Sequence, residues 1–577
     1  MRKLMQYFKG YRVQLVLGPL FKLAEAVLEL FVPLLMAQII DIGIAGGDKQ
    51  YIVRHGFFML GLAACGVVMG LICQYFAARV SQAFGRTLRM EVFHHVFSLS
   101  AAQCGSLGTD TLITRCTNDV NQVQTGVNMC IRLATRAPFL AAGSIIMALI
   151  TNWRLGLIFL ISTPVIALVL YVVTTKSLPM YGRIQKRQDD ISRLAGENLQ
   201  GVRVIRAFSR QDSEKAQFRA AGDDLAALTV RVGKLSAALN PVTFVVVNLA
   251  IVAIIWFGTG TVQLGGMPVG ELLAMVNYMN QTLLALIVLA NVVVIFNKAL
   301  ASAKRVSDIL ELQPDMQDVC ALQPLQAQAP AVAFNNVSFS YTSGTELAVE
   351  NISFSLPQGQ TMGIIGGTGS GKSTVVKLLQ RYFDVTGGAV MVQGVDVRTM
   401  PQKQLHSIIG YVPQTATLFS GTIRSNLCLG NQNATEEELW TALEIAQAAE
   451  FVRQKPQKLD TAVNEGGKNL SGGQKQRLTI ARALVQHPAV LVLDDAASAL
   501  DYATDAALRK ALKTRLPDTT VIMISQRAST IKNASQILVL ADGETAGIGT
   551  HAQLLQSCEV YREICQSQGV LAQEVTA

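Results

Sequence analysis

A chain of 577 residues has room for more than one domain, and 50% of this one is hydrophobic while only 15% is charged. Soluble domains carry about 25% charge, so the composition excludes a wholly soluble protein. The net charge of +9 would suit nucleic acid, but the bases crowd polar loops between apolar stretches, as on the cytoplasmic side of a membrane protein, and no nucleic-acid partner is expected. The nine cysteines are scattered and none has CxxC spacing, which excludes a disulfide framework or a structural zinc site.

The chain opens with "MRKLMQYFKGYR", a basic amphipathic stretch expected to lie on the inner membrane surface. Six apolar stretches follow, at about 13–40, 55–78, 128–151, 155–175, 240–262 and 270–297. Each is long enough to span a bilayer. The loops between them alternate between short and long. The long second and fourth loops carry Arg86, Arg89, Arg115, Lys176, Arg183, Lys186, Arg187, Arg203, Arg206 and Arg210. Positive charge therefore places these loops, with both termini, in the cytoplasm of a cell-membrane protein. Their helical patterns predict spans that continue beyond the membrane as long helices. The tips are expected near "GTDTLITRCTND" and "ENLQGVRVIRAF".

Charges inside a span are expensive, at roughly 2.5–3.5 kcal/mol each at mid-membrane. Lys22, Glu25 and Glu29 in the first span fall within about 60° of arc on one helix face. That face is expected to line the bundle interior or a substrate pathway, with Lys22 partly neutralising both carboxylates. A salt-bridge set that never meets substrate is the competing account. Asn277 and Gln281 share a face of the last span, as helix-to-helix glue or as ligands in a cavity.

Residues 1–312 thus form a transmembrane domain. The Gln/Pro/Ala-rich segment 313–329 reads as a linker. From 330 to 577 short β-rich runs alternate with helical patterns, which predicts an α/β domain. In "TMGIIGGTGSGKSTVV" an apolar strand leads into a helix through Gly366-x4-Gly371-Lys372-Ser373, a P-loop. Gly366, Gly367, Thr368, Gly369, Ser370 and Gly371 let the backbone curl round phosphates. Lys372 reaches the terminal phosphates, Ser373 ligates Mg²⁺, and Thr374 is expected to join them in binding the nucleotide. Downstream, "AVLVLDD" supplies a strand that ends at Asp494, placed to hold Mg²⁺ through its shell, and Asp495. Between them, "NLSGGQKQRLTIARAL" opens a helix whose free N–H groups suit an anion.

This last segment resembles the signature motif of ATP-binding cassette (ABC) transporters, matched by Leu470, Ser471, Gly472, Gly473 and Gln474. Other landmarks of that family appear in order. By resemblance, Tyr341 in "VSFSY" stacks on adenine, and Gln414 in "YVPQTATLF" senses Mg²⁺ and the γ-phosphate. Asp501 in "SALD" matches the loop that crosses to a second cassette. The whole chain resembles a half-transporter of the exporter class, similar to subunits of heterodimeric bacterial multidrug exporters. The resemblance implies ATP and Mg²⁺ as cofactors, a small amphipathic substrate (drug, lipid or peptide) and surrounding lipid. It also favours the cavity role for Asn277 and Gln281.

Two positions depart from the family pattern. Asp495 stands where an active cassette has Glu, and Gln526 where it has the switch His. Aspartate is shorter by one methylene, about 1–1.5 Å of reach. Glutamine cannot carry charge. ATP binding is expected to survive and hydrolysis at this chain's own site to weaken. The intact signature would complete the site of a partner half-transporter that carries the Glu and His. A slow homodimeric exporter and a non-hydrolytic ATP-gated regulator are the alternatives.

Overall fold

The computed structural model describes residues 4–316, 319, 321–341 and 346–569. Met1 to Lys3 and positions 317, 318 and 320 of the expected linker lie outside them. The chain forms two compact units, Met1–Ser98 with Leu107–Leu312, and Leu99–Ser106 with Gln313–Ala577.

The first unit is helical. Among the described residues six helices are long and apolar enough to cross a membrane: Arg12–Ile44, Lys49–Ser98, Thr109–Thr151, Trp153–Gln200, Gln211–Gln263 and Val269–Glu311. All six expected spans lie inside them, and five exceed 42 residues by running on into polar sequence, as the loop patterns predicted. Two of the breaks are capped by side chains. Asn152 alone separates two spans, and its side chain accepts hydrogen bonds from the N–H groups of Arg154 and Leu155 at 3.1 and 3.3 Å, capping the next helix. Asp41 caps at long range. It ends the first helix in a π-helical turn, Ile39–Ile44, and its carboxylate accepts from the N–H of Gly270 at 2.6 Å, at the start of the last helix. That helix follows Pro268 and has no local side-chain cap.

The core at span level is built on Phe159, Ile166, Ile254, Met275, Tyr278 and Met279. The Tyr278 hydroxyl is buried, so it needs an acceptor, and it donates to the Leu30 carbonyl at 2.8 Å. A second cluster holds the polar extensions together through Phe84, Leu88, Val120, Val123, Ala303 and Val306. Beside it lies the buried Asp119, paired with Arg115 at 2.7 Å and with Arg305 of the last helix. The N-terminal stretch packs in part against the second helix. Leu4 is buried in this second cluster and Phe8 stacks on Phe84 at 4.4 Å, so part of its apolar side packs on protein while Met5 stays exposed. Gly108 takes φ +77, and "GTDTLITRCTND" starts at that turn and runs on into helix from Thr109.

The second unit is α/β. β3 (Thr361–Gly366), β6 (Ile409–Val412), β9 (Val490–Asp494), β10 (Thr520–Ile524), β11 (Gln536–Ala541) and β12 (Glu544–Gly549) form one sheet in the order β12-β11-β3-β10-β9-β6. Only β12 runs antiparallel to its neighbour. Every residue of β9 is buried, as a strand covered on both faces requires. β1 (Val332–Phe339), β2 (Val349–Leu356), β4 (Gly387–Val392) and β5 (Val395–Asp396) make an antiparallel sheet in the order β2-β1-β4-β5. The short pair β7 (Gly421–Thr422) and β8 (Ala462–Val463) completes the strands. A six-helix apolar domain followed by an α/β nucleotide-binding domain is the architecture the sequence predicts.

Candidate active site

Four adjacent parallel strands, β3, β10, β9 and β6, end on the same edge of the sheet. Ligands of open α/β sheets bind at the carboxyl ends of strands. Here those ends carry the P-loop after β3, Gln526 after β10, Asp494 and Asp495 at β9, and Gln414 after β6. The sequence names all of them, and the strand order brings them together.

The P-loop geometry follows from its glycines. Gly369 and Gly371 hold φ +85 and +93, which side chains with a Cβ resist. A Cβ on Gly371 would lie 2.7 Å from a Val349 methyl and 2.9 Å from the Ala348 carbonyl, and one on Gly366 would strike the Leu540 carbonyl. Gly367 and Gly369 instead face open space, which leaves the mouth of the loop free for a ligand. Lys372 starts the helix Lys372–Leu379 and is buried. Its Nζ donates to the carbonyls of Gly366 (2.9 Å) and Gly367 and to Ser370 Oγ (3.3 Å). Burial pushes its pKa down, while Asp495 and Asp494 pull it back up. Ser373 is exposed at the helix start. Thr374 is buried and its hydroxyl bonds the Tyr341 hydroxyl at 3.0 Å. Tyr341 is half exposed, held edge-on by Phe339 and Phe383, with Lys377 Nζ 5.4 Å from its ring centre. A face thus remains for a flat heterocycle.

The two aspartates differ in environment. Asp494 is buried and accepts from the Tyr411 hydroxyl at 3.3 Å. Burial raises its pKa, the Tyr411 bond lowers it, and neighbouring Asp495 raises it again. Asp495 turns out of the strand at φ +47, a left-handed position that aspartate tolerates. Its N–H donates to the Ile524 carbonyl at 3.0 Å, and Gln414 Nε2 donates to its carboxylate at 3.4 Å. Burial raises its pKa, against the pull of the Gln414 bond, Arg527 and Lys372. The Ser373 hydroxyl, the Gln414 amide and the Asp494 carboxylate are hard oxygen donors of the kind Mg²⁺ takes, so these side chains fit the ion. Gln526 is exposed at the end of β10.

The signature residues form a helix start of their own. Ser471 caps Gly472–Leu484 by a reciprocal box: its hydroxyl accepts from the Gln474 N–H at 3.3 Å, and Gln474 Oε1 accepts from the Ser471 N–H at 3.1 Å. Leu470 is buried and anchors the turn. Gly472 is open to solvent, and a Cβ on Gly473 would lie 3.2 Å from the Ala499 carbonyl. Asp501 caps the helix Tyr502–Arg515 and accepts from the Thr504 N–H at 2.8 Å. That bond and the Thr504 hydroxyl hold its pKa down.

In the membrane unit the charged face of the first span is corrected. Lys22 pairs with Glu25 alone, at 2.6 Å, and Glu29 pairs with Arg136 of the third helix at 2.6 Å. Lys22 is a turn or more from Glu29, whereas Arg136 arrives from a neighbouring helix that the sequence cannot place. Gln281 accepts from Ser144 at 3.4 Å and is half-buried, and Asn277 is exposed and donates to its own helix at Leu273. Sequence reasoning also missed Tyr411. Its signal was the quoted "YVPQ", in which Tyr411 stands three residues before Gln414.

Comparison with known proteins agrees in both units. Residues 15–286 match the model of the ABC transporter transmembrane region, and 349–498 match that of the ABC transporter. An uncharacterized ABC transporter ATP-binding protein of Mycobacterium tuberculosis is 37% identical over 99% of this chain and 98% of its own length. An ATP-dependent lipid A-core flippase of Desulfotalea psychrophila is 32% identical over 88% and 90%. The solved structure of a bacterial Atm1-family ABC exporter with ATP bound superimposes with a TM-score of 0.80 at 25% identity, covering 97% of this chain and 98% of that one.

Proposed function

The chain belongs to the ABC transporter family and is a six-span half-transporter of an ATP-driven exporter, and on that premise we propose that its own P-loop forms a weakly hydrolytic ATP site. In this reading the signature completes the active site of a second half-transporter that supplies Glu and His. The observation that carries the reading is Asp495. It is a short carboxylate, set back at φ +47 and tied to Gln414, at the place where water must be activated. A misplacement of about 1 Å in such a group can lower a rate on the order of 10²-fold. Lys372, Ser373, Thr374 and the loop from Gly366 to Gly371 hold the phosphates, Tyr341 stacks on adenine, and Asp494 with Gln414 and Ser373 holds Mg²⁺. Ser471, Gly472, Gly473 and Gln474 face the partner's ATP, and Asp501 lies in the loop shared with the second cassette. The domain limits are 1–312, 313–329 and 330–577, and the cassette faces the cytoplasm. The cargo is an amphipathic small molecule. A relative that flips lipid A-core supports a lipid-like one. Glu25, Glu29, Asn277 and Gln281 line its path.

The test uses two substitutions in this one chain. Asp495→Asn touches only its own site and changes steady-state hydrolysis by a few-fold. Ser471→Arg fills the helix start that meets the partner's nucleotide and lowers turnover by orders of magnitude. If Asp495→Asn abolishes turnover, Asp495 is a working base and the reading fails. Co-purification of a different half-transporter from the native membrane tests the heterodimer.

A further inference from the structure

Between β10 and the short helix Ala528–Ile531 the chain passes through Ser525, Gln526 and Arg527. The N–H of Ala528 opens a helix and has no partner inside it. The carbonyl of Gln526 lies beyond the sheet ladder, which ends at Ile524. One side chain takes both groups. Gln568 Nε2 donates to the Gln526 carbonyl at 2.7 Å, and the Ala528 N–H donates to Gln568 Oε1 at 2.8 Å. The two bonds straddle Arg527, whose own N–H donates to Ser525 Oγ at 3.0 Å. A planar amide gripping two backbone groups two residues apart leaves the peptides between them little freedom to rotate.

The clamp is itself anchored. Gln568 caps the helix Glu559–Ser567, and its N–H donates to the Ile564 carbonyl at 3.2 Å. Gly569 follows at φ +69, the usual left-handed end of a helix. On that helix Tyr561 and Cys565 are fully buried in one cluster with Ala528, Ile531 and Ile365. Ile365 directly precedes Gly366. The helix therefore cannot shift without opening a core that reaches the root of the P-loop. Arg527 in turn acts on the Asp495 carboxylate, so the direction of this loop matters to the site.

We infer that Gln568 is a positioning residue for ATP hydrolysis: it fixes the backbone on both sides of Arg527, and so sets the aim of the Gln526 side chain and the Arg527 guanidinium. The inference rests on the reading of Gln526 as the switch residue. The test compares the full-length transporter in lipid with Gln568→Leu, which keeps the volume and loses both bonds, and with Gln568→Glu, which keeps only the acceptor for Ala528. Amide hydrogen exchange at Ala528 reads the clamp directly and rises about tenfold in Gln568→Leu. The kcat for ATP changes little in the wild-type chain, whose own site carries a small share of turnover, and falls about fivefold in the Asp495→Glu, Gln526→His background, while KM stays within about twofold, with Gln568→Glu between. Combined with Gln526→His, Gln568→Leu removes most of any rate that histidine restores. Unchanged exchange overturns the clamp. Faster exchange with unchanged kcat in both backgrounds overturns the positioning role. A parallel loss of kcat, ATP affinity and melting temperature reduces Gln568 to a structural residue. If Gln526→His alone changes nothing while Gln568→Leu still lowers kcat, the switch reading of Gln526 fails and the clamp stands through Arg527.

Discussion

Asp495→Glu combined with Gln526→His gives two opposed effects that can be measured apart. The added methylene extends the carboxylate by about 1.3 Å. If that distance is what separates it from the attacking water, the gain approaches 10²-fold, or about 2.7 kcal/mol of barrier. Against this stands the backbone. Residue 495 is held at φ +47 by its N–H to the Ile524 carbonyl at 3.0 Å, and its own carbonyl accepts from Ser498 Oγ at 2.7 Å. Glutamate lacks the short side chain that eases aspartate into this region, and the strain costs roughly 1 kcal/mol. That cost falls on the fold rather than on the barrier. In a domain of about 250 residues it lowers Tm by about 2–4 °C. The double variant is therefore expected to melt slightly earlier and turn over faster, with the ATP affinity of this chain's site unchanged. Steady-state ATPase of the full-length transporter in lipid, with cassette melting followed in parallel, checks both. An unchanged rate alongside the expected loss of Tm would refute the claim that reach and a titratable partner limit this site.

Gly371→Ala places a methyl group against Val349 and the Ala348 carbonyl at a φ of +93; ATP affinity should weaken at least about tenfold, at a strain cost of about 1–2 kcal/mol, and an unchanged Kd would contradict the cradle. Glu29→Gln and Arg136→Gln each leave a partly buried partner charge in the membrane. Each should lower stability in lipid by about 1–2 kcal/mol after allowance for their partial exposure, and the double change should recover part of the loss; strictly additive losses would mean the pair is not coupled. Asp41→Ala removes the cap from Gly270 and should cost about 1 kcal/mol, with Asp41→Asn close to wild type; equal melting of all three proteins would show that the cap carries no stability.

Much of this molecule is determined by local pattern. A run of about 20 apolar residues must be a span because lipid offers backbone groups no other partner, so all six spans were legible. The P-loop was legible because phosphate binding needs glycines and a lysine at fixed spacing, and Gly371 at φ +93 is where that need falls. Asp495 and Gln526 were legible as departures because each is a single residue type at one place in a motif. Tertiary structure decided what depends on chain segments far apart. Arg136 lies 107 residues from Glu29, so Lys22, three residues from Glu25, was the only visible partner for both carboxylates. The N-terminal stretch is amphipathic whatever covers it, and only folding shows that Leu4 and Phe8 pack beside Phe84 of the second helix. Gln568 stands 42 residues from Gln526 in a polar tail with no motif. Its role comes from a helix packed on β3, and a hydrogen-bond donor leaves no mark in sequence until folding gives it an acceptor.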